Sequence, residues 1–333
     1  MTNKSIIALA LIPQILIVNF LKYNPSIIDK YYSDYIFNSI VKANVFLYSS
    51  INAPVGEVLY IILLITFLYL SFKALSFRLN DLINLFVLIS ITYFIFYAFW
   101  GLNYFKPSIS DNLNLNLNYE LIELESTLDS ITIKINEVNR LIDRNEVDID
   151  VINIQSDYRQ NIKKSILPEL FLLRRISGHY IPFTSEAIVI NRIPKISIPI
   201  VIFHEKAHQN GFANEADASF IGFIESIEST NPLIRYSGYF NALLNLLNEI
   251  NKNYPERLND YMKRLDKRII IDINEHIEFW DNYSDNYFDQ VSNKIYDVFL
   301  KSNNQKDGIL SYNKLSNFII DYYQRGDLYY YFR

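Results

Sequence analysis

The sequence predicts a mainly α-helical protein in two parts, a membrane anchor of three helices followed by a helical domain with a small β element. Half of the 333 residues are hydrophobic, and the longest apolar runs all lie before residue 105. Beyond that point, apolar residues recur at the three- and four-residue spacing of amphipathic helices. One short segment there is rich in β-branched residues, as strands are.

The three apolar runs have the length and composition of transmembrane helices. They extend from Ser5 to Leu21, from Val55 to Leu75 and from Leu82 to Trp100. A cleaved signal peptide is the alternative for the first run, but no small-residue cleavage site follows its apolar core, which favours an uncleaved anchor. We therefore predict a membrane anchor over residues 1–105, embedded in a lipid bilayer, and a second domain over residues 106–333.

Positive charges near the spans indicate the orientation of a membrane protein. Lys4, Lys73 and Arg78 are concentrated next to the spans on the N-terminal side. The lysines of the opposite side are spread over a longer stretch that also contains Asp29 and Asp34. This density places the N-terminus inside, so we expect a multi-pass protein of the cytoplasmic (inner) membrane with an extracytoplasmic C-terminal domain.

Charge and cysteine content restrict the partners and the kind of metal site. The net charge is −5, and Lys and Arg are interspersed with Asp and Glu, so nucleic acid is not an expected partner. The chain has no cysteine and four histidines, so a metal site would use histidine and carboxylate ligands. The sequence leaves the oligomeric state open.

Helical periodicity covers most of the C-terminal domain. Apolar residues recur at helical spacing from Tyr119 to Arg144 and from Asp157 to Ile176, and both segments are predicted as amphipathic helices. The β-branched segment from Ala187 to Ile190 is predicted as a strand. Long helical patterns continue from Pro232 onward, with a break near Tyr254.

The segment PIVIFHEKAHQNG, from Pro199 to Gly211, carries the strongest chemical signal. Pro199 suits the first turn of a helix and Gly211 suits its C-terminal end. His204 and His208, four residues apart, then lie above one another, at the spacing that lets two imidazoles bind one zinc ion. Glu205 lies about 100° around the helix axis. That position suits a general base that holds the attacking water without being a ligand.

A second helix is predicted directly after this one. Asn214 suits its N-terminal cap, and the intervening turn brings its first residues back toward the two histidines. Either Glu215 or Asp217 can then complete a three-ligand zinc site. In gluzincin peptidases the third ligand is a helical glutamate followed three residues later by alanine, which favours Glu215. Asp217 would then be a partner for a ligand imidazole, or a cap.

Other side chains are weaker candidates. His179, beside the predicted strand, can polarise a substrate carbonyl if that strand follows the cleft. Tyr236 or Tyr239 can donate to a developing oxyanion, although aromatic packing is the common role of such residues. His276 is expected at the surface or in packing. Glu186 can bind a substrate amine, hold a ligand histidine or form a salt bridge.

The residues of this region resemble a known family. HEKAHQNGFANEADASF is similar to the pattern HExAHxxGxxxExEAxF of the bacterial domain of unknown function 3810 family, whose members are regarded as gluzincin-like membrane metallopeptidases. Further similar blocks, FWGLNYFKP, PFTSEAIVI, RYSGY and YDVFLKSNNQKDGILSY, extend the resemblance over most of the chain. It implies three spans and a zincin-like peptidase domain outside the membrane. The chain departs from the pattern at Lys206, Asp217 and Ser219.

These observations lead to one functional hypothesis and one alternative. The hypothesis is a membrane-anchored zinc metallopeptidase in which His204, His208 and Glu215 hold Zn²⁺ and Glu205 is the catalytic base. Its substrates would be peptides or proteins of the envelope or the extracytoplasmic space. The alternative is a non-catalytic zinc-binding envelope scaffold or sensor. Three ligands with an open fourth position would favour the enzyme, and four protein ligands the alternative.

Overall fold

A computed structural model of the chain describes residues 3–116, 118–142, 161–284, 286–305, 308 and 314–326. These residues form a mainly helical protein with one sheet of three strands, which confirms the predicted α-helical class and the small β element. The N-terminal helices are α1 (Asn3–Leu9), α2 (Leu11–Lys22), α3 (Pro25–Ile27), a π-helix (Ile28–Phe37), α4 (Asn38–Tyr48), α5 (Val55–Ala74) and α6 (Leu79–Phe99).

The remaining elements lie beyond α6. A 3₁₀ helix (Gly101–Phe105) leads to α7 (Ile109–Leu113), α8 (Leu121–Asn139), β1 (Ile162–Lys164), α9 (Pro168–Leu172), β2 (Gly178–Ile181) and β3 (Glu186–Val189). The last part contains α10 (Ile198–Gln209), α11 (Glu215–Glu228), α12 (Pro232–Asn253), α13 (Leu258–Met262), α14 (Lys267–Asp281), α15 (Tyr287–Ser302) and α16 (Leu315–Arg325), with short 3₁₀ helices at Lys195–Ser197 and Pro255–Arg257.

Three helical segments are long and apolar enough to cross a membrane, as the sequence predicts. They are Asn3–Lys22, which comprises α1 and α2, together with α5 and α6. α6 packs against both of the other segments, and Gln14 of α2 donates a hydrogen bond to Ser90 of α6. Most of their side chains are not buried within the protein, which is consistent with a membrane protein.

The segment between the first and second apolar helices forms a buried cluster that periodicity did not predict. Ile28, Tyr32 and Phe37 of the π-helix pack against Trp100 and Phe105, which follow the third apolar helix. The ammonium group of Lys22 also lies over the ring of Phe105, 6.0 Å from its centroid. The ends of α2 and α6 are therefore fixed to each other on the side of the C-terminal domain.

The main core of the C-terminal domain lies between α8, α11, α12 and α16. α8 confirms the helix predicted from Tyr119 to Arg144, although residues 143–144 lie outside the described part of the chain. Its residues Leu124, Leu128 and Ile131 are completely buried. The three- and four-residue spacing of these side chains places them on one face, and this face packs against α12.

The sheet has the order β1-β3-β2. β3 confirms the strand predicted at Ala187 to Ile190. It pairs in parallel with β1 and in antiparallel with β2, with Ala187 opposite both Ile162 and Tyr180. All four of its residues are buried, as expected for a central strand that packs against a helix, here α10.

The helix predicted from Asp157 to Ile176 is wrong in its described part. Residues 161–176 form β1 and the short helix α9 instead, and residues 157–160 lie outside the described residues. Pro168 starts a new helix in the middle of the predicted one. The pairing of Ile162 with the buried central strand outweighs the local helical pattern, because strand formation depends on its neighbours in space.

Two buried glutamates attach α5 to the sheet. Glu186 of β3 accepts hydrogen bonds from the backbone N–H of Val55 (3.1 Å) and Gly56 (2.5 Å), the first residues of α5. Glu57 of α5 accepts in turn from the hydroxyl of Ser165 (2.6 Å) and from the N–H of Ile166 (2.7 Å). The bonds to Glu186 satisfy N–H groups that α5 leaves unpaired at its start. Together, the bonds of the two glutamates hold the second apolar helix against the sheet.

Candidate metal centre

The helix that carries the two histidines has the predicted boundaries. α10 begins at Ile198 with Pro199 in its first turn, and it ends at Gln209. Gly211 follows with a φ of +93°, a conformation that glycine adopts without strain and that reverses the chain. The N–H of Gly211 donates to the carbonyl of His208, so the turn starts directly beside the second histidine.

α11 begins immediately after this turn. The side chain of Asn214 accepts hydrogen bonds from the backbone N–H of Ala216 (2.9 Å) and Asp217 (3.4 Å), which confirms it as the predicted N-cap. Later in the helix, a Cβ at Gly222 would lie only 3.0 Å from the backbone nitrogen of His204. α11 therefore approaches α10 closely where a larger residue would keep them apart.

The turn brings Glu215 to the two histidines. Its Oε2 atom lies 3.3 Å from Nε2 of His204 and 3.3 Å from Nε2 of His208, and the ligand atoms of all three residues lie within 4.8 Å of one another. Two ligands at about 2.0–2.1 Å from a tetrahedral zinc ion are about 3.3 Å apart. Both distances from Glu215 therefore suit ligands of one metal ion, and the three side chains together could hold it.

The outer nitrogens of the imidazoles are also held. Nδ1 of His208 lies 2.7 Å from the carbonyl oxygen of Phe212, and Nδ1 of His204 lies 3.2 Å from the hydroxyl of Ser219. Such contacts fix the ring orientation and the tautomer of a metal ligand. They leave Nε2 of both rings directed at Glu215.

Asp217 does not act as the predicted partner of a ligand imidazole. Its Oδ2 atom instead accepts a hydrogen bond from the backbone N–H of Ile109 (3.0 Å), at the start of α7. Asp217 is two residues after Glu215, about 200° around the helix, whereas Ser219 is four residues after it and returns to the same face. Ser219 therefore takes the role that the sequence had suggested for Asp217.

Glu215 and His208 stabilise each other's charged form. Burial disfavours ionisation of Glu215, but His208 and His204 outweigh that effect and hold the pKa of this carboxyl well below its usual range. Burial likewise opposes protonation of His208, but the Glu215 carboxylate raises the pKa of His208 to about 9. A metal ion at this position would displace that proton, since only neutral imidazole binds metal.

Glu205 lies beside this group but is not part of it. Its side chain is in the same cavity as the two histidines, the residue is only 4% exposed, and its Oε2 atom makes no hydrogen bond with the described residues. Burial raises the pKa of Glu205, against the effect of the nearby His204 and His208. A Cβ at Gly178 would lie 2.8 Å from Oε1 of Glu205, so this glycine leaves room for the carboxylate.

The candidate ligands and Glu205 line a cavity of about 840 Å³. Its walls come from α5 and α6, from α9 and β2, from α10 and α11, and from α15. His179 of β2 is among the lining residues, as the sequence suggested. Its ring stacks on Phe171 at 4.1 Å between centroids, and its Nε2 atom lies 3.4 Å from Oε1 of Glu57. The structure thus brings His179 and Glu205 into one cavity.

Tyr236 is placed away from this cavity. It is completely buried in the core, and its hydroxyl donates a hydrogen bond to Asp272 of α14. The described cavity lining does not include it, so the geometry does not support the predicted oxyanion donor, and Tyr239 is likewise part of the core. Aromatic residues at helical spacing on α12 serve packing because that face of the helix is turned into the core.

His276 has the packing role expected of it. Its ring packs against Phe240 and Trp280, its Nδ1 atom lies 3.3 Å from the hydroxyl of Ser197, and burial lowers its pKa to about 4. Glu186, for which the sequence left three roles open, caps α5.

Tyr296 is a cavity residue that sequence reasoning missed. Its hydroxyl donates a hydrogen bond to Oε1 of Glu215 (2.6 Å), which leaves Oε2 to face the imidazoles. Tyr296 comes from α15, some eighty residues farther along the chain. The sequence did contain one indication that Tyr296 is important, because this residue begins YDVFLKSNNQKDGILSY, one of the blocks that resemble the family.

Comparison with known proteins supports that resemblance. A family model described as "Protein of unknown function (DUF3810)" matches residues 32–320. The chain belongs to this family. The match includes every candidate ligand, Glu205, and the helix that carries Tyr296. No curated protein and no solved structure matches the chain. The family resemblance that the sequence indicated is therefore confirmed.

Proposed function

We propose that the protein is a membrane-anchored zinc metallopeptidase with a zincin-like domain, and that it hydrolyses peptide bonds of envelope or extracytoplasmic polypeptides. The observation that carries this proposal is the convergence of His204, His208 and Glu215 at zinc-ligand spacing on the wall of a cavity. Bound zinc would activate a water molecule and polarise the scissile carbonyl.

The number of ligands favours an enzyme over a scaffold. Structural zinc sites in proteins are closed by four protein ligands, whereas catalytic sites use three and keep one position open. Among the described residues, the group that can hold a metal consists of His204, His208 and Glu215, and all three line the cavity. The remaining position would therefore face the space that a substrate can enter.

Glu205 has the environment of a general base. Its carboxylate lies in the same cavity, is not a ligand, and has one oxygen without a hydrogen bond to the described residues. Burial raises its pKa, so the carboxylate binds a proton more readily than an exposed glutamate does. Glu205 would accept the proton of the attacking water and pass it to the leaving amine.

The β2 strand supports a polypeptide as the substrate. β2 lies at the edge of the three-stranded sheet, and its residues Gly178, His179 and Tyr180 line the cavity. An extended peptide can pair with such an edge through backbone hydrogen bonds. This pairing would bring its scissile bond past Glu205, which lies directly beside Gly178.

The proposed anchor is residues 1–105 and the proposed catalytic domain is residues 106–333. The distribution of Lys and Arg favours an extracytoplasmic position for the catalytic domain. Because α5 and α6 contribute to the cavity, the anchor is expected to be needed for activity. Tests of activity therefore require the full chain.

The proposal is tested with the full chain purified in detergent micelles. Zinc content is measured together with hydrolysis of a mixture of randomised, internally quenched peptides. Glu205→Gln is expected to keep zinc and to lose about 100- to 10,000-fold in turnover, the usual contribution of a general base. His204→Ala is expected to lose both zinc and turnover.

Glu228→Gln is the matched control, since Glu228 is an exposed residue at the end of α11. It should behave like the wild type. Full turnover by Glu205→Gln would refute the assigned base, and a wild-type protein without zinc would refute the metallopeptidase.

A further inference from the structure

We propose that the substrate is the membrane-proximal segment of a membrane-anchored polypeptide, which enters the cavity from the bilayer. This inference rests on the proposed peptidase function and adds the substrate class. It is carried by the course of the cavity, which continues from the candidate ligands along α5.

The cavity is lined in part by a helix that is apolar enough to span the membrane. Glu57, Tyr60, Ile61 and Leu64 of α5 all contribute to its wall, and α5 is one of the three candidate spans. Leu64 lies seven residues beyond Glu57, which is about 10 Å along a helix axis. The cavity that His204 lines therefore extends well into the apolar part of this helix.

This end of the cavity is open and apolar. Leu64 is 58% exposed and Tyr60 is 38% exposed, although both line the cavity. On a helix that spans a bilayer, exposed apolar side chains face lipid. A cavity that ends among them opens toward the hydrocarbon region.

Exposed apolar side chains also lie in and around two other helices that line the cavity. Ile166, Leu170 and Leu173 are exposed in and around α9, and Ile295 and Val298 are exposed on α15. Both helices contribute walls of the cavity. A row of exposed apolar side chains beside a membrane span is typical of elements that rest in the membrane interface.

α15 is attached to the end of a candidate span. The ring of Phe299 lies 6.2 Å from that of Phe96, in the last turn of α6. It also lies 5.9 Å from the ring of Tyr104. The exposed apolar side chains of α15 are thus held beside the membrane segment by its own packing contacts.

The α5 wall of the cavity changes from apolar at Leu64 and Ile61 to polar at Glu57. The lining elsewhere includes Glu205 and the candidate ligands. A chain that leaves the membrane changes in the same order, from an apolar anchor to a polar segment.

The experiment uses the full chain reconstituted in phosphatidylcholine vesicles. A short randomised segment is supplied either directly after a single transmembrane helix in the same vesicles or as a free peptide in solution. We expect the tethered form to be cleaved at least about tenfold faster, because confinement to the bilayer raises its effective concentration at the cavity. The cleavage sites should cluster beside the anchor.

Two leucines of α5 provide a matched pair of variants. Leu64 and Leu68 lie one turn apart and are each 58% exposed, but Leu64 lines the cavity and Leu68 does not. Leu64→Trp should lose most of the cleavage of the tethered form, because the larger ring narrows the membrane end of the cavity. Leu68→Trp should retain it.

Equal cleavage of the free and tethered forms, or equal behaviour of the two tryptophan variants, would overturn the inference. In that case the peptidase proposal would still be supported if the wild type cleaves the peptides and Glu205→Gln does not. The experiment therefore distinguishes failure of the substrate proposal from failure of the peptidase proposal. A photoreactive side chain at position 64 or 68 of the Glu205→Gln protein gives a readout that needs no turnover. The tethered segment should crosslink at position 64, and equal or absent capture at the two positions would also overturn the inference.

Discussion

The candidate metal centre and the junction between α5 and the sheet both contain buried glutamates, but the groups that satisfy them differ. At the junction, Glu186 and Glu57 accept hydrogen bonds from backbone N–H groups and hydroxyls. At the candidate metal centre, Oε2 of Glu215 faces two imidazole nitrogens and makes no hydrogen bond with the described residues. Hydrogen-bond donors of the protein therefore satisfy the glutamates of the junction, whereas Oε2 of Glu215 could still bind a metal ion.

The difference distinguishes a structural joint from a candidate binding site. Burial raises the pKa of Glu186 even with its hydrogen bonds, so these bonds offset only part of its desolvation, and removing them would cost stability. At the candidate metal centre, Glu215, Glu205 and His208 are buried, His204 is partly buried, and all four line one cavity. The pKa values of Glu205, Glu215 and His208 are all shifted there, and such a cluster in a cavity is typical of a functional site.

The largest expected effect is on metal binding. Glu215→Gln should weaken zinc binding by more than about 100-fold, because even residues that only support a ligand contribute about 10- to 100-fold. The protein should remain folded, since glutamine keeps the size of the side chain and can still accept the hydrogen bond from Tyr296, and the imidazoles can lose their protons. Zinc affinity is measured by competition with a chelator. An affinity equal to that of Glu228→Gln would contradict Glu215 as a ligand.

At the junction between α5 and the sheet, a substitution should affect stability instead of zinc binding. Glu186→Gln replaces one accepting oxygen with an NH₂ group opposite the N–H groups of Val55 and Gly56. We expect the free energy of unfolding to fall by about 1 to 3 kcal/mol and zinc binding to stay unchanged. Denaturant unfolding in micelles measures the first quantity.

Glu169→Gln is a suitable control for the junction because Glu169 is exposed on α9. A loss of zinc affinity in Glu186→Gln without a loss of stability would reverse the assignment of the two sites.

The smallest expected effect is a pH dependence of stability that arises from His276, whose surroundings differ from those of His208. Glu215 raises the pKa of His208 to about 9 against the effect of burial, whereas burial lowers the pKa of His276 to about 4. The unfolded chain binds a proton at His276 below about pH 6.5, and the folded protein does so only near pH 4. The stability that His276 contributes is therefore complete above pH 6.5 and is lost as the pH falls toward 4.

The pH effect is measured by comparing the wild type with His276→Gln in the presence of a chelator. The wild type should lose about 1 to 2 kcal/mol relative to the variant between pH 7 and pH 4.5. Parallel unfolding curves over this range would show that burial does not shift the pKa of His276.

Local features of the sequence were sufficient for several parts of this picture. Pro199 and Gly211 mark the ends of α10, and Asn214 marks the start of α11, because each of these residues suits a helix terminus. The apolar runs and the helix over Leu121–Asn139 follow from composition and periodicity. These predictions succeeded because the physical cause lies within a few residues of the effect.

The errors arose where distant contacts decide. The segment from Ile162 became a strand because β3 lies beside it. The side chain of Tyr236 is directed into the core, and the side chain of Asp217 is directed toward α7. Tyr296 reaches Glu215 from another part of the chain. Periodicity describes one helix at a time, so it cannot indicate which of its polar residues will meet a partner from elsewhere.

By itself, the sequence determined the helix with two histidines four residues apart, the adjacent glutamate, the turn after them, and three helices apolar enough to enter a membrane. Those features depend on helical geometry and on local composition. Only the tertiary structure decided that Glu215 faces both imidazoles, that Ser219 and Tyr296 hold the group in place, and that the cavity continues along α5. The reason is that these contacts join residues far apart in the chain, whose meeting depends on how whole helices pack.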